Sequence, residues 1–316
     1  MRKKEKLYLV IPCYNEEEVL HETEKRLTEK LNRMIDSNLI SEESRIVFVD
    51  DGSRDKTWEI IKSMHMSNKL VNGIKSSRNR GHQNTVLLGL MTVKDECDMA
   101  VSMDADLQDD IEVLDQFVQQ YYDGCEIVYG VRSARKTDTF FKKSTAQAFY
   151  KLMNKLGAEV VYNHADYRLM SRRALNELSN YKEVNLFLRG IVPLIGFKYG
   201  IVTYERAERF AGKSKYPLKK MLSFAGDGIT SLSIKPIRMI ASLGFIIFGI
   251  SMILLLYFVI GAINHNTIKG WATTIVSIWA LGGLQLLAIG VIGEYIGKIY
   301  METKGRPRYI IEEYLK

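Results

Sequence analysis

Residues 99–110 read MAVSMDADLQDD, an apolar run that gives way within a few positions to four aspartates and a glutamine. A strand of the buried kind ends here, and negative charge gathers at its carboxyl end. The pattern recurs along the first half of the chain. LYLVIP (7–12) is followed by CYNEE, RIVFVD (45–50) runs into DDGSRD, GIKSS (73–77) into SRNRGHQN, and EIVYGV (126–131) into RSAR. Helical patterns lie between these runs, near 15–36, 55–68, 82–95 and 110–123, the first with Val19, Leu20, Leu27, Leu31 and Met34 on one face. Such alternation predicts an α/β domain, a mostly parallel, Rossmann-like sheet covered by helices. Open sheets of this type bind ligands beyond the carboxyl ends of their strands, so the five polar clusters define one site.

The later sequence is less regular. A helical pattern covers 144–156, ADYRLMSRRAL (165–175) predicts a short strand meeting a helix opened by Ser171, and YGIVTYERAERF (199–210) a strand running into a loop. Two long uncharged runs follow, Met239–Ile263 and Gly270–Gly293. Each exceeds the roughly 20 residues that cross a bilayer as a helix. A mean hydropathy of −0.09 averages this apolar hairpin with a polar domain. Lys235 and Arg238 precede the first run, Lys298, Lys304, Arg306 and Arg308 follow the second, and only Lys269 lies between them. The positive-inside rule then places both chain ends and the α/β domain in the cytoplasm, with a multi-pass anchor in the cell membrane. The basic N-terminus leads into too short an apolar run for a signal peptide.

The expected organisation is a domain at 1–213, an amphipathic juxtamembrane segment at 214–236, a two-helix transmembrane hairpin at 237–297 and a cytoplasmic tail at 298–316. Net charge is +7, and nine basic against three acidic residues between Lys198 and Arg238 carry most of it. Beside a membrane span, such a stripe fits anionic lipid phosphate rather than nucleic acid. Residues 217–234 suit an amphipathic helix on the membrane surface. Cys13, Cys97 and Cys125 lack CxxC spacing and are expected to be reduced.

The chemistry starts with Asp104, Asp106 and Gln108. Alternate positions on an extended segment point to one side, and an oxygen-only set suits Mg2+ or Mn2+ bound to a substrate diphosphate. Asp109 or Asp110 is expected to cap the following helix. Asp50 and Asp51 end the second strand, where a carboxylate can accept from a uracil or guanine N–H, while Gly52 permits a tight turn and Asp55 caps the next helix. Pro12 is expected to end the first strand. Tyr14 could stack on a base, and Glu16 either binds a ribose hydroxyl or answers the helix dipole.

In order along the chain, VIPCYNEEEVL, IVFVDDGSRDKT, SRNRGHQNTVLLGL and MDADLQDD resemble the motif series of family 2 glycosyltransferases with the GT-A fold. The closer resemblance is to the branch that moves sugars from nucleotide sugars to polyprenyl phosphates, such as dolichol-phosphate mannose synthases and bactoprenol glucosyltransferases. YGVRSAR, DYRLMSR, NLFLRG, ERFAGKSKYPLKKM and GEYIGKIYMETKGRPRY fit the same branch.

The resemblance implies inverting transfer of one sugar, glucose or a related hexose or N-acetylhexosamine, from a UDP-sugar rather than a GDP-sugar to undecaprenyl or another polyprenyl phosphate. It places the metal on Asp104, Asp106 and Gln108, and the nucleotide against Pro12, Tyr14, Glu16, Asp50, Asp51, Asp104 and Ala105. Arg132, Arg135, Arg206, Arg209 and Lys215 become candidates for the diphosphate and the lipid phosphate, Arg132 with a catalytic part in neutralising the leaving group. Asp166 matches the family's proposed base. A phosphate acceptor with a second pKa near ~6 is already mostly a dianion at neutral pH, so orienting the sugar or Arg168 is the alternative. His82 either positions these groups or simply starts a helix. Gly282, Gly283, Gly290, Gly293 and Gly297 allow close helix approach and a homo-oligomer. A processive polysaccharide synthase would carry QxxRW and more spans, and a non-catalytic scaffold would not need the intact aspartate clusters.

Overall fold

A computed structural model describes residues 4–133, 164–207, 235–263 and 270–316. Its core is a sheet of order β7-β5-β6-β4-β1-β2-β3-β8. The strands are β1 (Leu7–Cys13), β2 (Arg45–Asp50), β3 (Val71–Ser76), β4 (Met99–Ser102), β5 (Ile127–Arg132), β6 (His164–Ser171), β7 (Tyr199–Tyr204) and β8 (Ile311–Leu315). β1 pairs in parallel with β2 and β4, and β2 with β3. β6 is inserted antiparallel between β4 and β5.

Helices α1 (Leu20–Asp36), α2 (Thr57–Ser67), α3 (His82–Val93) and α4 (Leu114–Tyr122) connect the first strands, and α5 (Arg172–Leu178) and α6 (Leu188–Leu194) follow β6. The unbroken apolar character of β1 follows from burial on both faces. Leu7, Leu9 and Ile11 point into a core with Leu20, Leu27 and Leu31 of α1 and Phe117 of α4. Tyr8 and Val10 point into the opposite core with Val86, Leu87 and Leu90 of α3 and Leu175 of α5. α3 comes especially close: a Cβ on Gly89 would lie 2.4 Å from Val10 Cγ1 and 2.8 Å from Val49 Cγ2. Gly89→Ala is therefore expected to destabilise the domain by about 1–3 kcal/mol, read as a lowered thermal unfolding midpoint in detergent.

Pro12 does not end its strand, because β1 continues to Cys13, whose carbonyl accepts the Asp51 N–H at 2.9 Å. β1 pairs with β4 only as far as Val10 and Ser102. Backbone groups alternate between neighbours along a strand, so the donor that Pro12 lacks faces the side where pairing has already ended.

Helices α7 (Lys235–Ile263) and α8 (Trp271–Thr303) occupy the two uncharged runs. Among the described residues, one stretch, Leu281–Thr303, is long and apolar enough to cross a membrane. The patterns at 144–156 and 217–234 lie outside the described residues. The segment expected to be a tail is not one throughout: α8 runs on to Thr303, and Ile311–Leu315 joins the sheet as β8, antiparallel to β3. Lys75–Glu312 and Lys62–Glu313 ion pairs, at 3.0 and 2.9 Å, flank that pairing.

Candidate active site

Polar side chains gather where β1, β2, β3 and β4 end and where antiparallel β6 begins. The first two loops are laced together. Asn15, at φ 51°, accepts the Arg54 N–H at 2.9 Å and gives its own N–H to Ser53 Oγ at 3.0 Å, while Glu16 N–H reaches Thr57 Oγ1 at 3.0 Å. Tyr14 beside them is 36% exposed, open enough to stack on a planar ligand.

The paired aspartates have structural work that sequence reasoning missed. Asp51 accepts the N–H groups of Arg80 (2.7 Å) and Gly81 (2.9 Å), one on each oxygen, and so pins the β3–α3 loop. Asp50 accepts the Ser53 N–H at 3.2 Å and closes its own turn. Burial pushes both carboxyls upward. Gly52, at φ 65°, lies against that loop as well: a Cβ there would fall 2.8 Å from the backbone of Arg78 and Asn79. Asp55 is the expected cap of α2; it accepts the Thr57 N–H at 3.1 Å, but the N-cap position is Lys56, one residue further on, with no side-chain cap bond.

The segment after β4 is not the extended ladder that alternation assumes. Leu107 sits at φ 56°, and the chain turns through Ala105–Leu107. Ala105 is buried, and its carbonyl accepts Thr23 Oγ1–H at 2.8 Å. The turn leaves Asp104 and Asp106 partly exposed but draws Gln108 inward, where its Oε1 accepts from Arg206 and its N–H donates to Asp106 Oδ1 at 3.2 Å. Asp104 and Asp106 thus stay partly exposed, two residues apart in the chain, while the Gln108 amide is bonded to Arg206.

The neighbouring aspartates differ sharply. Asp110 accepts the Glu112 N–H at 2.9 Å and is the cap. Asp109 is buried and instead accepts from Arg132 (3.2 Å) and the Tyr204 hydroxyl. Arg132 is held there, its charged form favoured by Asp109 against the cost of burial. Asp109 is buried while Arg132 keeps partial access to water, so Asp109→Ala, which leaves Arg132 and the Tyr204 hydroxyl without this acceptor, is expected to cost about 1–3 kcal/mol, seen as a lowered unfolding midpoint. Arg135, Arg209 and Lys215 lie outside the described residues.

Asp166 is the third residue of β6, its carbonyl accepting from Ser102 Oγ at 2.7 Å. Arg189 of α6 forks its carboxylate, Nε to Oδ1 at 3.1 Å and a terminal nitrogen to Oδ2 at 3.0 Å. Arg168 adds a contact at 2.9 Å. Burial opposes charge on Asp166, but Arg189, His82 and Arg168 outweigh it and hold the carboxyl well below the usual range. His82 Nε2 stands 3.5 Å from Asp166 Oδ2 and 3.7 Å from Asp104 Oδ1, bridging the two acids. Arg189 is the residue the sequence reading passed over; its one signal was the arginine of NLFLRG.

Asp104 goes the other way. Burial lifts its carboxyl to about 6, with His82 opposing and Asp109, Asp166 and Asp106 adding to the rise. A carboxylate disfavoured by burial and by like charges, with a second partly exposed carboxylate two residues on, is a donor set that a hard divalent cation fits. Among the described residues no three His, Cys, Asp or Glu side chains converge as a metal cage; a site completed by substrate phosphates needs only one or two carboxylates. A cavity of about 620 Å³ opens behind the turn, lined by Arg26, Arg33, Asp110 and Glu112 among others. It includes neither Asp104 nor Asp166, so it is separate from the acid cluster.

A mostly parallel sheet with one antiparallel insertion, a DxD turn after β4 and interlaced loops at the strand ends together define a GT-A-type glycosyltransferase domain. The chain belongs to glycosyl transferase family 2, whose model matches residues 8–179. It is 56% identical over 306 residues to the uncharacterized glycosyltransferase YkoT of Bacillus subtilis, covering 97% of this chain and 91% of that one. YkcC of the same organism, also an uncharacterized glycosyltransferase, is 40% identical over 96% of this chain and 93% of its own length. The bactoprenol glucosyl transferase of Shigella phage SfX is 39% identical over 97% of this chain and 99% of its own.

Proposed function

We propose that this protein transfers a single hexose, glucose or a close relative, from a UDP-sugar to undecaprenyl or another polyprenyl phosphate, with inversion at the anomeric carbon. The observation that carries the reading is the likeness to a bactoprenol glucosyl transferase, which extends through both apolar helices to nearly the full length of each chain. An acceptor anchored in the bilayer calls for an enzyme anchored there too. α7 and α8 then form the two-span hairpin, with the catalytic domain and both ends at the cytoplasmic face and homo-oligomers formed through the spans.

In the reaction, a phosphate oxygen of the lipid bonds to the anomeric carbon as the bond to the nucleoside diphosphate breaks, and the diphosphate departs with that electron pair. Asp104 and Asp106 would hold a divalent cation, Mg2+ or Mn2+, which supplies Lewis-acid neutralisation of the leaving group. Tyr14, Glu16 and the Asp50–Asp51 turn frame the nucleotide. Asp166, charged and fixed by Arg189, is a poor base, since general bases work best with a pKa near the working pH. It accepts hydrogen bonds from sugar hydroxyls or orients the arginines that meet phosphate.

Incubating the purified protein with polyprenyl phosphate, Mg2+ or Mn2+ and a panel of UDP- and GDP-sugars tests the reading by mass spectrometry. A polyprenyl phosphate heavier by one hexose, formed from a UDP-sugar, is the expected product. No lipid gaining mass with any donor would sink the reading.

A further inference from the structure

The carboxyl-terminal end of α8 is fastened to the catalytic domain on two sides. On one, β8 pairs with β3, the Tyr314 hydroxyl donates to Glu96 at 3.0 Å, and Lys316 pairs with Glu96 at 2.9 Å. On the other, Glu302, in the last turn of α8, accepts two successive backbone donors, Val184 N–H on Oε2 at 2.9 Å and Asn185 N–H on Oε1 at 2.8 Å. Arg308 adds a bond to the Tyr181 carbonyl at 2.9 Å.

Residues 181–187 have no helix or strand of their own and lead directly into α6. The first residue of α6, Leu188, gives its N–H to Gln83 Oε1 at 2.8 Å, and its carbonyl accepts from Arg168 at 3.3 Å. The next residue is Arg189, which forks Asp166. One short path thus runs from the end of the apolar helix through two backbone amides to the arginine that fixes the central carboxylate. A segment without regular structure draws its order from such outside bonds, and bonds to an ionised carboxylate are the strong ones.

We infer that Glu302 is a positioning residue: it sets the 184–185 backbone, and through it the fork of Arg189 on Asp166, so the catalytic cluster is assembled only when the end of α8 is seated on the domain. The catalytic consequence rests on the proposed transfer reaction; the ordering of the segment does not.

The test uses the full chain in lipid vesicles, as parent, Glu302→Ala and Glu302→Gln; glutamine keeps one acceptor oxygen. Hydrogen exchange read by mass spectrometry is expected to quicken about tenfold or more over 184–189 in Glu302→Ala. The faster exchange should extend to the start of β6 and leave β1 unchanged, with Glu302→Gln between parent and alanine. In transfer from UDP-glucose to undecaprenyl phosphate, Glu302→Ala should lower kcat about tenfold with KM for the donor within about twofold, and Glu302→Gln should recover part of the loss. Faster exchange confined to 184–185, or unchanged exchange, overturns the inference, as does faster exchange over 184–189 with kcat intact. If the parent itself moved no sugar to lipid, the functional reading would fail, and the spread of exchange to Arg189 and β6 would still decide for or against Glu302.

Discussion

Replacing Asp104 by asparagine is expected to lower sugar transfer by about a hundred- to a thousandfold, the scale on which an enzyme loses a preorganised electrostatic partner of its transition state. Asparagine matches the shape of aspartate and leaves the turn through Leu107 undisturbed, so the loss should appear without a fall in the unfolding midpoint. Burial and three neighbouring acids make Asp104 reluctant to ionise, with a carboxyl at about 6. The metal-free folded chain therefore holds this proton more tightly than the unfolded chain. That group's contribution to stability is present below the ordinary carboxylate value near about 3.9 relative to high pH, and is lost as pH rises through about 6. A bound cation has to displace that proton. Mn2+ binding in the presence of UDP, followed by the electron paramagnetic resonance of the free ion, should accordingly weaken as pH drops below about 6 in the parent. Asp104→Asn should bind weakly at every pH. Tight binding by the variant, or transfer at the parental rate, would remove Asp104 from the metal site.

The elements legible in the sequence were those whose signal is local. β1, β2 and β4 are continuous apolar runs and α1 carries a clean stripe; the strands fall within about two residues of where they were expected, and α1 starts five residues later than the expected 15. β8 was not legible: five residues, IEEYL, hold adjacent acids and find their partner strand more than two hundred positions earlier. Pairing over such a separation leaves no local mark. The site divides in the same way. That the strand-end clusters meet follows from the parallel order alone, but which oxygen faces outward depends on single backbone angles. Leu107 sits in the left-handed region and the Gln108 amide is taken up by Arg206, and nothing in DADLQDD distinguishes Asp109, buried against Arg132 and Tyr204, from Asp110, the cap. The pairing of Arg189 was missed for a third reason: its partner lies on β6, which runs antiparallel to both strands beside it.

Arg189→Lys is expected to cut turnover about ten- to a hundredfold, and Arg189→Ala further, although both leave the DxD carboxylates untouched. Lysine keeps the charge but cannot span Oδ1 and Oδ2 of Asp166 at once, as the guanidinium does at 3.1 and 3.0 Å. The pair should behave as one unit, so Asp166→Asn in the Arg189→Ala background costs much less than the product of the single losses. The pH profile separates fixed charge from base. With its carboxyl held well below the usual range, Asp166 is ionised throughout neutral pH. Its stabilising contribution is complete above the ordinary value near about 3.9 and is lost only as pH falls through its lower folded value. Turnover measured between about pH 6 and 8 should therefore keep the same shape in Asp166→Asn, scaled down as a whole. If the acidic limb of the parental profile vanished in that variant, Asp166 would be taking a proton in the reaction. The fork of Arg189 would then be tuning a base rather than fixing an anion.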